Sequence, residues 1–247
     1  MLLLESASTG TAMETTPSSP AAPLVPAPEP APSLGGLRQL ILFLLAALGL
    51  FLLVQAVTVS SILYSAHQQN PELAWGALAR RVEQRVQYDA FFLVPVQLVY
   101  SVVLVGLLYA WVRLRRGLPF WRTLAVQGLA HRNIVPALAG GILLAVLATY
   151  ASSLLPPPKE LPFDKLLSSR AAALLVIAAS VLVAPVVEEL VFRGYIYTVL
   201  ERVWGLVPAV LASGLLFGSI HFPQLWPGYV QMALLCLVGV AFSLARA

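Results

Sequence analysis

Apolar stretches of bilayer-spanning length recur along this chain, and that recurrence restricts the fold more than any other feature. Six can be delimited, at residues 37–64, 90–112, 134–155, 171–197, 206–221 and 229–245. A hydrocarbon core of about 30 Å takes about 20 apolar residues to cross as a helix. Lipid offers no water to pair backbone N–H and C=O groups, so such runs become helices that satisfy these groups internally. A transmembrane barrel would need short strands of alternating polarity, and that alternation is absent from the sequence. The predicted fold is therefore all-α, a polytopic transmembrane helical bundle of about six membrane segments with a disordered N-terminal tail. The fifth run, residues 206–221, is short for a full crossing and is expected to be shielded by its neighbours.

Composition agrees and removes other classes. Of 247 residues, 59% are hydrophobic and 11% charged, whereas a soluble domain carries about 25% charged residues. A soluble enzyme, a nucleic-acid-binding domain and a disordered chain are excluded. The net charge of +4 comes from basic residues in the loops between apolar runs, where they flank a bilayer. The expected partner is thus the lipid bilayer and not a nucleic acid. Cys236 is the single cysteine and lies inside an apolar run, so no internal disulfide and no CxxC zinc spacing exists.

Residues 1–36 form a separate region. Seven prolines between Pro17 and Pro32, mixed with Ala and Ser, cannot bury enough apolar surface to offset ordering entropy. The opening Met1-Leu2-Leu3-Leu4 lacks a basic flank and is closed by Glu5, unlike a secretory signal. Residues 65–89 carry Arg80, Arg81, Glu83 and Arg85 near Trp75, a pattern that suits an amphipathic helix at the interface. Residues 113–133 hold five arginines and no acid, and Pro156-Pro157-Pro158 breaks the chain before residues 159–170. If the six runs alternate, one side collects eight basic residues and the other six. That difference favours a cytoplasmic N-terminus. Short loops and an Ala/Leu/Arg/Pro-rich composition point to a bacterial plasma membrane.

In so apolar a chain the informative residues are ionisable ones inside the runs, since each costs a few kcal/mol to insert and marks a functional site by default. One cluster stands out: Glu188, Glu189 and Arg193, after 14 uncharged residues (171–184). Glu189 and Arg193 are four apart and can pair on one helix face, in the favoured order with the acid first. Glu188 lies about 100° around the helix and is the carboxylate less neutralised by that arginine, suited to take a proton from water. Pro185, one turn earlier, can kink the helix and admit water. The second cluster is Phe217-Gly218-Ser219-Ile220-His221, with Phe217 and His221 on one face and small residues that let another helix approach. His221 can exchange a proton, bind a metal or polarise a carbonyl. Both clusters also admit a plainer reading as polar groups at membrane-helix ends. His67 and His131 fall in expected loops with no sign of coordination.

With Glu188-Glu189-x-x-x-Arg193 on one run and Phe217-x-x-x-His221 on the next, the chain resembles the CPBP family. These are the CAAX protease and bacteriocin-processing intramembrane peptidases, also called the Abi family. The resemblance covers 171–247, taken as the catalytic core, with 37–170 as N-terminal membrane helices. It implies hydrolysis of a peptide bond in a membrane-associated peptide or protein substrate, prenylated or carrying a leader peptide. By analogy Glu188 is the general base, acting with His221 on water. Glu189 completes the catalytic set and, with Arg193, orients the pocket, while Phe217 supports it. The family supplies oxyanion donors from a later His-x-x-x-Asn or His-x-x-x-Asp motif. No His or Asn follows His221 here, so the core is expected to be C-terminally incomplete, cut before its last helix.

The family is often labelled metallopeptidase, and zinc is a candidate cofactor. Glu188 and His221 are the only candidate ligands, fewer than the three of a hydrolytic zinc site, and HExxH is absent. A glutamate-activated water without metal is the other possibility. The rival to an enzyme is a catalytically inactive membrane immunity or scaffold protein of the same fold. A small transporter would need polar residues on several helices, which the first three runs lack.

Overall fold

The computed structural model describes residues 34–124, 131–154 and 161–247. Most of the tail expected over 1–36 lies outside these, as do the three prolines 156–158. Every regular element among the described residues is helical. Among the described residues four helices are long and apolar enough to cross a membrane: Leu37–Gln69, Ala90–Leu114, Arg170–Trp204 and Tyr229–Arg246. Two shorter apolar helices, Leu138–Ser153 and Leu206–Ile220, match the third and fifth runs. The chain is an integral membrane protein by these spans. Their outward faces are apolar, with Leu53 60% and Val102 73% exposed, as a lipid-facing surface requires.

Helix α1 (Leu37–Gln69) continues five residues past its apolar run. Polar side chains carry the extra turn: Gln68 donates to the Tyr64 hydroxyl, Gln69 to Ser65 Oγ, and Asn70 Nδ2 to the Ala66 carbonyl. His67 is therefore helical rather than in a loop, and its ring stacks on Trp75 at 4.3 Å. His131 is likewise helical, opening α5 (below). Before α1, Leu34 is already buried in the main core, so the chain is packed from that point. Helix α2 (Trp75–Tyr88) is the expected amphipathic element. Its apolar face, with Leu78 and Val82, is buried against the bundle.

Helix α3 (Ala90–Tyr109) starts at an Asp89 cap that accepts from the Phe91 N–H, and ends in a π-turn, Ala110–Leu114. The short α4 (Phe120–Thr123) leads on to α5 (His131–Ser153), and α6 (Pro162–Leu166) precedes the fourth span. That span is not one regular helix. It comprises α7 (Arg170–Leu182), α8 (Ala184–Glu188), a π-helical stretch Glu189–Tyr197 and α9 (Thr198–Trp204). The break at Val183 lies just before Pro185, which has no N–H to give the carbonyl one turn earlier. In the π-stretch the backbone is wider by one residue per turn, and Thr198 Oγ1 donates to the Arg193 carbonyl five residues back.

Helices α10 (Leu206–Ile220), α11 (Phe222–Leu225) and α12 (Tyr229–Arg246) complete the chain. The main core draws together Leu40 and Phe43 of α1, Leu108 of α3, Trp111, the π-stretch and Phe217 of α10. At its centre Trp111 Nε1 donates to the Tyr195 hydroxyl at 2.9 Å. Helices α10 and α12 touch backbone to backbone. A Cβ on Gly214 would lie 2.7 Å from the Val240 nitrogen, and one on Gly218 would collide with Cys236 Sγ. Small residues at a helix crossing allow this approach, and dispersion then replaces the absent hydrophobic drive within lipid. Ser219, read with these glycines as a packing residue, faces outward, and Ser213 is the buried serine of α10.

Candidate functional site

The site is set by a hairpin about Gly205, whose φ of +81° is a conformation that glycine adopts without strain. Its N–H closes on the Glu201 carbonyl at 2.8 Å. Glu188 precedes the last helical residue, Trp204, by 16 positions, and His221 follows Leu206 by 15. At 1.5 Å per α-helical residue, and less along the wider π-stretch, both arms reach about 20–24 Å from the turn. Two residues far apart in sequence are thereby brought level. Glu188 Oε1 and His221 Nε2 lie 3.9 Å apart, with the two side chains 26% and 21% exposed. The pair is thus half-sheltered and reachable.

His221 caps α10 and is no longer helical itself (φ −88°, ψ 0°), because Pro223 follows two residues on and a new turn begins. Three neighbours hold the ring. Phe217, one turn earlier, meets it edge to face at 5.3 Å. Gln224 Oε1 lies 2.9 Å from Nδ1. Glu188 faces Nε2, an atom that is buried and has no hydrogen-bond partner. With its oxygen turned to the ring, the Gln224 amide accepts from Nδ1 when that nitrogen carries the proton, and Nε2 then presents a lone pair towards Glu188.

The adjacent carboxylate has a different environment. Glu189 is 57% exposed and approaches Arg193 Nε only to 3.9 Å, too far for a hydrogen bond. Arg193 is 2% exposed, and its Nε and Nη2 make no hydrogen bond. Its guanidinium instead lies 4.5 Å over the Phe217 ring and 5.1 Å from that of Phe242, the geometry of a cation–π contact. Phe192 closes on Phe217 edge to face at 5.4 Å. Arg193 therefore packs Phe217, and Phe217 packs His221. The pairing expected of Glu189 and Arg193 is a loose contact, and the stronger link from Arg193 runs to the aromatic side chains.

Among the described residues no group of three His, Cys, Asp or Glu side chains could hold a metal ion. Glu188 and His221 supply two donors, and Nδ1 of the histidine is engaged by Gln224, so this donor set does not fit a three-ligand hydrolytic zinc centre. Sequence reasoning passed over Gln224, whose signal is its position three residues after His221 across a proline turn. It also passed over the π-stretch, whose signal is Thr198 placed to take a freed carbonyl.

Neither a curated protein nor a solved structure matches the chain. A family model does, the one described as type II CAAX prenyl endopeptidase Rce1-like, over residues 170–247. That stretch starts with α7 and contains Glu188, Glu189, Arg193, Phe217 and His221. Residues 170–247 thus match the Rce1-like type II CAAX prenyl endopeptidase family, consistent with a CPBP-family intramembrane peptidase.

Proposed function

We propose that this protein is an intramembrane endopeptidase in which Glu188 and His221 activate water against a peptide bond of a membrane-associated substrate. The observation that carries this reading is the 3.9 Å separation of Glu188 Oε1 and the unpartnered His221 Nε2. The gap exceeds a direct hydrogen bond and suits one bridging water, about 2.8 Å from each atom. Such a water donates one proton to the carboxylate and the other to the imidazole, which leaves an oxygen lone pair for a carbonyl carbon. Glu188 takes a proton as the oxygen–carbon bond forms, and that proton is available to the leaving amine. Glu189, the next residue on the same span, lies towards Arg193, and Arg193 and Phe217 brace the histidine.

The family match supports a CAAX-type substrate, a protein with a prenylated C-terminus, presented from the bilayer. The excess of basic residues beside Arg38, eight against six, supports a cytoplasmic N-terminus. The test is turnover of a prenylated CAAX reporter peptide in proteoliposomes. Glu188→Gln keeps the shape and removes the base, and it should lower kcat by about 10²–10⁴-fold. Unchanged turnover would remove the proposal. Loss in Glu189→Gln alone would move the role to the neighbouring carboxylate.

A further inference from the structure

We propose that Gln224 is a positioning residue that fixes the tautomer of His221, an inference that rests on the role given above to that histidine. Three observations carry it. Gln224 Oε1 sits 2.9 Å from His221 Nδ1. The Gln224 N–H closes on the His221 carbonyl at 3.0 Å, so the turn that follows the histidine brings its own acceptor back to the ring. The opposite nitrogen, Nε2, faces Glu188 and is otherwise unpartnered.

The chemistry follows from the donor and acceptor inventory. With the proton on Nδ1, Nε2 presents a lone pair, and a water between it and Glu188 can give a proton to each. The opposite tautomer would aim an Nε2–H at the carboxylate. A water in the 3.9 Å gap would then meet one acceptor and one donor and could not give a proton to each side. A partner on the far nitrogen commonly sets which imidazole nitrogen is protonated, and supporting contacts of this kind are worth about 10–100-fold in activity. Phe217 holds the ring plane but cannot choose between the nitrogens, because an aromatic edge has no acceptor directed at Nδ1. Among the described residues the charged groups around the ring are few. Glu188, Glu189 and Arg193 come from the fourth span, and Asp164 and Lys165 from α6, which packs against α11. Helix α11 has no charged residue, and α12 has only Arg246, at its far end.

The test separates the tautomer from turnover. Nitrogen-15 NMR of the full chain labelled at its three histidines, in detergent micelles, reads the protonated nitrogen directly. The His221 signals are assigned by their loss in His221→Asn. The wild type is expected to carry the proton on Nδ1. In Gln224→Leu the ratio of Nδ1–H to Nε2–H should fall about tenfold, as expected for loss of a single hydrogen bond. Gln224→Glu, which keeps an acceptor, should restore it. With the prenylated reporter peptide, Gln224→Leu should lower kcat about tenfold at unchanged KM, and Gln224→Glu should regain most of it. A proton on Nε2 in the wild type would overturn the inference, as would a ratio unmoved by Gln224→Leu or a kcat loss that Gln224→Glu does not repair. An inactive wild type whose tautomer responds as described would overturn the proposed activity and leave the positioning role standing.

Discussion

Helix α5 and the π-stretch Glu189–Tyr197 lie on two runs that look alike in hydropathy, yet the folded chain treats them in opposite ways. Along α5, Leu138, Ile142, Val146 and Tyr150 are all more than half exposed. In the π-stretch all eight residues from Leu190 to Tyr197 are buried. Within lipid an apolar side chain gains little by facing protein rather than acyl chains, so hydropathy fixes that a segment crosses and not what it touches. Contact is decided by small residues that allow close approach and by polar groups that need a partner. Both regions contain glycines. A Cβ added to Gly140 or Gly141 of α5 would meet nothing within 4 Å, whereas one added to Gly194 would press on Leu124 Cβ at 3.1 Å.

The largest effect that sharpens this contrast should come from Arg193→Ala. It empties a buried site lined by Phe217 and Phe242, a change that costs about 2–5 kcal/mol for side chains of similar bulk. Thermal unfolding in detergent micelles reads it, and a melting curve equal to wild type would dissolve the packing role given to Arg193. A smaller cost, about 1–3 kcal/mol, is expected for Gly218→Ala, since its Cβ meets Cys236. Cys236→Ala should recover part of that loss, because it removes the sulfur but not the backbone contact. Gly141→Ala in α5 should stay within about 0.5 kcal/mol of wild type. Equal effects at Gly218, in α10, and at Gly141 would contradict the rule drawn from the comparison, that closely approached glycines decide contact. A change of the same small size, below about 0.5 kcal/mol, is expected for Glu189→Gln, as its carboxylate is exposed and only loosely placed against Arg193.

Much of the architecture was legible from the residues. The six apolar runs correspond to six apolar helices among the described residues, since length and hydropathy are what a bilayer selects. The ends were less so. Helix α1 runs on through polar residues held by side-chain bonds between successive turns, which hydropathy cannot detect. The fourth run reads as one helix, but Pro185 and the widened backbone divide it. The hint of Pro185 is local, whereas the π-stretch is fitted to Leu124 and Trp111, far off in sequence.

At the site, the spacing of Glu188, Glu189 and Arg193 assigned the two acids to different faces, and their environments do differ. What four-residue spacing could not convey is that Arg193, while keeping Glu189 at 3.9 Å, lays its guanidinium over the Phe217 ring. That choice depends on α10 and α12 closing over it through Gly214, Gly218 and Gly239. The equal arms about Gly205 were available to simple counting and align Glu188 with His221. Gln224 escaped notice because a neutral amide in a loop carries no signal until its oxygen is seen beside an imidazole.

The most direct measurement is a double-mutant cycle in kcat for the prenylated reporter, comparing Glu188→Gln, His221→Ala and the two combined, each verified as folded. Two groups acting on one water form a unit, so the double variant should be no slower than the slower single variant. Losses that multiply would mean that the two side chains act separately, and full activity in either single variant would contradict the shared site outright.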